Sequence, residues 1–128
     1  MANEMVNAHE TEILAHLTGG AAYSQPTYYV GALTAITDAE AGTVTEVTGG
    51  TYARVAPTFT GTNPRSNDAN IDLNIPSGNT VVGIAIWDAS SAGNIKWVKA
   101  VTNEAFAAAG VYRIATGALY ATSQSIQQ

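Results

Sequence analysis

The chain has 128 residues, no cysteine and a formal net charge of −5. Its length corresponds to one ordinary domain, and 46% hydrophobic residues are enough to build a core without disulfide bonds. An acidic chain is repelled by a phosphate backbone, which argues against nucleic acid as a partner. No apolar run is long enough to span a bilayer, and no basic segment precedes an apolar stretch at the N-terminus, so neither a membrane partner nor a signal peptide is expected.

Residues 1–19 are predicted to form a short helix. Asn7 followed by Glu10 has the spacing of a capping box, and a glycine pair at 19–20 is a suitable stop. The apolar residues fall at spacings that place them on one stripe of a helix. The members of this stripe are Val6, Ile13, Leu14 and Leu17.

A β-hairpin is predicted where the segments 43–48 and 51–57 flank Gly49 and Gly50, because two glycines suit a two-residue hairpin turn. The turn would pair Val47 with Tyr52 and Val44 with Val55.

The remaining pattern after residue 27 is also that of strands. Residues 71–75 alternate between apolar and polar positions, whereas residues 80–87 are apolar on both faces and need cover on both sides. The helix is the simplest cover, and a neighbouring subunit is the alternative. Lys96 and Lys99 lie three positions apart in a strand, so they point to opposite faces and form no basic patch. The other predicted strands are 27–35, 95–102 and 111–122, the last of them broken near Gly117.

One helix followed by about seven short strands predicts an all-β fold, either a β-sandwich or a jelly-roll-like domain. Residues 1–128 would form a single domain, with the helix at 1–19 and the strands within 27–122. The pattern leaves the strand order open.

No catalytic, cofactor-binding or metal-binding residue is predicted. His9 and His16 are the only histidines, and on a helix they would lie about 10 Å apart along the axis, too far for one metal ion. His9 and Glu10 begin like the helix of a zinc protease, but Ile13 occupies the position of the second histidine. Solvated or interface histidines are the better interpretation.

Two groups of acidic residues also have plain explanations. Asp68, Asn70 and Asp72 resemble the start of a calcium-binding loop, but Leu73 stands where such a loop needs glycine. Their alternation fits a strand instead. Asp38 and Glu40 could be imagined as the carboxylate pair of a glycosidase, but a solvated turn is the simpler interpretation. The sequence therefore predicts no enzyme.

Aromatic residues leave a binding module open as a hypothesis. Such rings could stack on sugars if they are exposed, although aromatic residues in strands more often belong to cores or interfaces. The candidates are Tyr23, Tyr28, Tyr29, Trp87, Trp97, Tyr112 and Tyr120.

Three stretches resemble small structural proteins from the virions of tailed bacteriophages. Residues 43–54 contain Glu-Val-Thr-Gly-Gly-Thr-Tyr-Ala-Arg, which is similar to a Glu-Val-Ser-Gly-Gly-x-Tyr-Ala-Arg stretch of that family. Residues 84–89, Ile-Ala-Ile-Trp-Asp-Ala, followed by glycine and asparagine at 93–94, resemble its aromatic-Asp-Ala hairpin. The strand 29–33 is similar too. Relatives often have Gly-Asp before the last strand, where this chain has Gly110 and Val111.

The resemblance implies a virion component that is assembled in the host cytoplasm. With only 12% charged residues, about half the usual share, the surface suits packing against other proteins. The leading hypothesis is a capsid decoration (cement) protein that binds and stabilises the major capsid protein shell, as a homo-oligomer with a trimer favoured. The alternatives are a tail-fibre or tail-tip module that contacts the host surface, and a carbohydrate-binding module.

Overall fold

A computed structural model describes residues 3–121. It contains one helix and ten strands within that range, so the all-β fold with a single short helix is confirmed. The elements in chain order are β1 Asn3–Met5, α1 Asn7–Leu17, β2 Tyr29–Asp38, β3 Thr43–Glu46, β4 Phe59–Thr60, β5 Arg65–Asn67, β6 Ile71–Ile75, β7 Asn79–Trp87, β8 Ile95–Phe106, β9 Gly110–Ile114 and β10 Tyr120–Ala121.

Three antiparallel sheets make up the fold. The large sheet has the strand order β1-β8-β7-β2-β3, the small sheet has the order β10-β5-β4, and β6 pairs with β9 in a two-stranded ribbon. β7 is the central strand of the large sheet, and its sequence is apolar on both faces because both faces are packed against other parts of the chain. The hairpin connection between β7 and β8 and the pairing of β2 with β7 build most of this sheet.

The core lies on both faces of the large sheet. On one face, Val30 and Ile84 pack with the alternating apolar side chains of the β6–β9 ribbon, such as Leu73, which is fully buried. On the other face, Ala85 and Trp87 pack with Val6, the residue just before the helix. The β6–β9 ribbon thus covers one face of β7, the strand predicted to need cover on both sides, and the chain around Val6 covers the other.

The N-terminal helix is shorter than predicted. The side that it turns toward the core is not the predicted apolar stripe. Residues 1–2 of the predicted range lie outside the described residues, and residues 3–5 form β1, which pairs with β8. Leu14 and Leu17 are 59% and 61% exposed, whereas His9 is the buried residue of the helix. Because β1 and the buried Val6 fix where the helix starts, its polar side faces the sheet.

The predicted hairpin across Gly49 and Gly50 is wrong. The chain does turn there, because the Tyr52 N–H donates to the Gly49 carbonyl at 3.2 Å. Residues 51–57 do not return along β3, however, and Val55 exchanges two backbone hydrogen bonds with Val30 instead.

Val44 lies opposite Ile36 of β2 rather than opposite Val55. The loop therefore leaves the edge of β2 after β3 and rejoins that strand nearer its start. The break predicted near Gly117 separates β9 from β10, and residue 122 of the last predicted strand lies outside the described residues.

The orientation of the helix can be tested by substituting Leu14 on the helix and comparing the effect with that of Leu73, a core leucine on β6. Leu73→Ala should lower the free energy of unfolding by about 2–5 kcal/mol, because it leaves a cavity in the core. Leu14→Ala should change it by no more than about 0.5 kcal/mol, because that side chain is largely in solvent. Urea denaturation of both variants measures the difference. A Leu14 effect as large as that of Leu73 would contradict the described orientation of the helix.

Candidate functional site

The most extensive buried polar cluster surrounds Arg54, whose side chain is only 6% exposed. Its Nε and Nη2 atoms donate to the two carboxylate oxygens of Glu46, each at 2.8 Å. Nη1 donates to the carbonyls of Ala89 and Ala92, also at 2.8 Å. The guanidinium carbon lies 3.9 Å from the centroid of the Trp87 ring, which is a cation–π contact. Four of the five N–H groups of the guanidinium are therefore used within the chain.

Tyr52 completes the cluster from the other side of Glu46. Its hydroxyl donates to Glu46 Oε1 at 2.8 Å and accepts the Ala32 N–H at 2.9 Å. Burial, followed by the bond to the carboxylate, raises the pKa of Tyr52, so the phenol stays protonated and remains a donor. Gly31 provides the space: a Cβ there would lie 2.5 Å from the Tyr52 hydroxyl and 2.8 Å from the Trp87 ring.

The loop 88–94 is held at both ends. Asp88 accepts the backbone N–H of Asn94 at 2.7 Å and its side-chain amide at 3.2 Å. Although burial raises the pKa of Asp88, these hydrogen bonds outweigh it and the pKa lies below its ordinary value. Ala92 has a φ of 53°, a left-handed conformation that is unfavourable for a residue with a Cβ. The bond from Arg54 to its carbonyl helps to hold that conformation.

These contacts explain the sequence stretches that carry the family resemblance. Glu46, Tyr52 and Arg54 come from the first stretch, and Trp87 and Ala89 come from the second. They are distant in sequence but meet in one cluster that braces the loop after β3 against the loop after β7. A bidentate arginine with this many acceptors positions the backbone accurately. The cluster therefore has a bracing role within the fold.

A second polar cluster attaches the helix to the large sheet. Lys96 Nζ donates to Glu12 at 2.9 and 3.2 Å, and it lies 3.7 Å from Asp88. His9 Nδ1 lies 2.9 Å from Glu12. The hydrogen bonds from His9 and then from Lys96 hold the pKa of Glu12 below its ordinary value. Glu12, Asp88 and Lys96 border an open cleft of about 480 Å³ between the helix and the sheet.

The histidines and acidic residues singled out in the sequence do not converge on an ion site. His16 accepts the Tyr23 N–H at 3.0 Å, away from the His9 bond. Asp38 caps a turn by accepting the Ala41 N–H at 3.1 Å. Within residues 3–121, no group of three or more histidine, aspartate or glutamate residues is placed to hold a metal ion.

Asp68, Asn70 and Asp72 are likewise engaged separately. They bond to different partners on different elements: Asp68 to Thr58, Asn70 to Thr116, and Asp72 to Arg113. The structure gives each of them a local hydrogen-bonding role.

The aromatic residues separate into buried and accessible groups. Trp87 is buried beneath Arg54, and the hydroxyls of Tyr23 and Tyr28 are hydrogen-bonded to each other. Trp97 and Tyr120, in contrast, line a slot of about 310 Å³ between the large sheet and the small sheet. Both rings are candidates in the sequence, but no local pattern brings them together, because the pattern does not give the strand order.

These observations define an all-β protein with one short helix, in which the main buried polar cluster braces the chain's own loops. No helix within the described range is long and apolar enough to cross a membrane. Residues 4–122 match the sequence family described as Podophage GP4 fiber I protein gp80, and the chain belongs to that family. This confirms the resemblance to virion proteins of tailed phages. None of the curated proteins matches the chain.

Two arginines test the bracing role of the Arg54 cluster. Arg54→Ala should cost about 3–5 kcal/mol of unfolding free energy, because it leaves the Glu46 carboxylate without its cation and two loop carbonyls without their donor. Arg113→Ala is the matched control, since Arg113 also forms a bidentate pair with an aspartate, at 57% exposure. The control should change stability much less, because exposed ion pairs are screened by water. Equal effects in thermal and urea unfolding would contradict the bracing role.

The attachment of the helix should depend on pH. Because the folded pKa of Glu12 is below its usual 4.5, its stabilising contribution is present above that value and is lost as pH falls through the folded pKa. Glu12→Gln should therefore be less stable than the wild type at neutral pH, and the difference should shrink as the pH falls below 4.5 and through the folded pKa. Urea denaturation across this range measures it. A difference that stays constant with pH would contradict the ion pair.

Proposed function

We propose that this protein is a non-enzymatic structural component of a podophage virion and that it belongs to a fibre. The family match over residues 4–122 carries the proposal, because that family is described by a fibre protein. The contacts within the chain support a structural role, since the largest polar cluster is occupied with bracing two loops. A fibre module of this kind would lie at the outside of the particle, where it can contact the host surface.

A capsid decoration protein is the second candidate. The observation that favours it is the pair of exposed leucines on the terminal helix, Leu14 and Leu17. An exposed apolar pair on a compact, charge-poor domain suits docking onto the major capsid protein, and many identical contacts would stabilise the assembled shell. The same pair also supports self-association, for which a trimer remains the favoured state. In either case we place the protein in the virion.

The copy number in purified particles separates the two candidates. A fibre protein occupies a restricted part of the particle, so mass spectrometry should find far fewer copies of it than of the major capsid protein. Antibody labelling should be confined to the tail region in electron micrographs. A copy number comparable to that of the major capsid protein, with label over the head, would replace the fibre proposal by capsid decoration. Absence from purified virions would overturn both.

A further inference from the structure

The slot between the large sheet and the small sheet is an accessible cavity that contains no residue of the Arg54 or Lys96 cluster. Its floor is the large sheet, where Ile84 and Ile86 of β7 lie directly opposite Lys99 and Trp97 of β8. Its other wall is the small sheet and the loop before it, through Phe59, Leu119 and Tyr120. The volume of about 310 Å³ is at the small end of the usual range for ligand pockets, about 300–1,000 Å³. The slot therefore fits one ring-sized unit rather than a long chain segment.

Two aromatic rings are presented at this slot. Trp97 is half-buried, and its indole N–H donates to Asn3 Oδ1 at 2.8 Å, which orients the ring. Tyr120 is 62% exposed on β10. Aromatic rings that carry a polar atom and are partly exposed to solvent suit ligands with one apolar face and polar edges. The pyranose ring of a sugar has that character.

Lys99 adds a positive charge at the same place. Every other lysine and arginine in residues 3–121 has a hydrogen-bonded partner: Arg54 on Glu46, Arg65 on backbone carbonyls, Lys96 on Glu12 and Arg113 on Asp72. Lys99 alone among the described cations has none, in a chain with a net charge of −5. An unpaired cation beside an apolar slot favours an anionic group on the ligand.

We propose that this slot binds an acidic monosaccharide unit, with its ring against Trp97 and Tyr120 and its carboxylate on Lys99. The amide nitrogen of Asn3 and the hydroxyl of Tyr120 supply hydrogen-bonding atoms for the sugar hydroxyls. The inference deepens the proposed fibre function, because acidic sugars are a chemical class that an outward-facing module could meet on a host surface. Binding is a property of the isolated chain, so its test is independent of where the protein lies in the particle.

The probe is D-glucuronate, with neutral D-glucose as the matched control, titrated into ¹⁵N-labelled protein. The indole N–H of Trp97 gives a signal of its own beside that of the buried Trp87. We expect D-glucuronate to shift the Trp97 signal saturably, with a Kd on the order of 1 mM, and to leave the Trp87 signal in place. Glucose should bind at least about tenfold more weakly, and added salt should weaken the glucuronate complex.

Three variants assign the effect to residues. Lys99→Gln should reduce glucuronate affinity to that of glucose, and Tyr120→Ala should weaken both sugars. Arg113→Gln removes a cation outside the slot and should leave binding unchanged. Unfolding curves for each variant ensure that a loss of binding is not a loss of fold.

Four results would overturn the proposal. The first is no saturable shift at about 10 mM glucuronate, tenfold above the expected Kd. The second is equal binding of glucose and glucuronate. The third is an unchanged affinity in Lys99→Gln. The fourth is a Trp97 signal that moves with protein concentration and without sugar, because that would identify a second copy of the chain as the occupant of the slot.

Discussion

The guanidinium of Arg54 bonds Glu46 on one side and the carbonyls of the loop 88–94 on the other, while its central carbon lies over the Trp87 ring. A buried cation requires nearly all its donors to be satisfied, so this one interaction constrains two loops together. It determines where the chain goes after β3, because Tyr52 and Arg54 must both reach Glu46. That requirement outweighs the simpler hairpin that the glycine pair favours.

The same logic governs how the helix attaches to the large sheet. An ion pair between Glu12 and the buried Lys96 orients the helix with its polar side inward. The leucines then remain at the surface, although their spacing is that of a core-facing stripe. Removing Lys96 from water without a carboxylate would cost more than leaving two leucines partly exposed. The helix therefore presents two exposed leucines at the surface.

No single element packs across the whole of the face of the large sheet that carries the β6–β9 ribbon. The β6–β9 ribbon covers the half near β2 and β7, and the small sheet lies over the half near β8. The slot is the space that remains between the small sheet and the part of the large sheet formed by β7 and β8. Residues from both ends of the chain, Asn3 and Tyr120, meet there.

The sequence by itself determined the all-β class, the single helix near the N-terminus and most strands, because apolar alternation and turn residues act over a few positions. It also pointed to the stretches around Glu46 and Trp87 that carry the family resemblance. Only the tertiary structure decided that Arg54 joins those stretches, that His9 rather than Leu14 faces the sheet, and that Lys99 lies unpaired beside Trp97. These outcomes depend on pairing between residues far apart in the chain, and local pattern carries no record of which distant partner satisfies a buried charge.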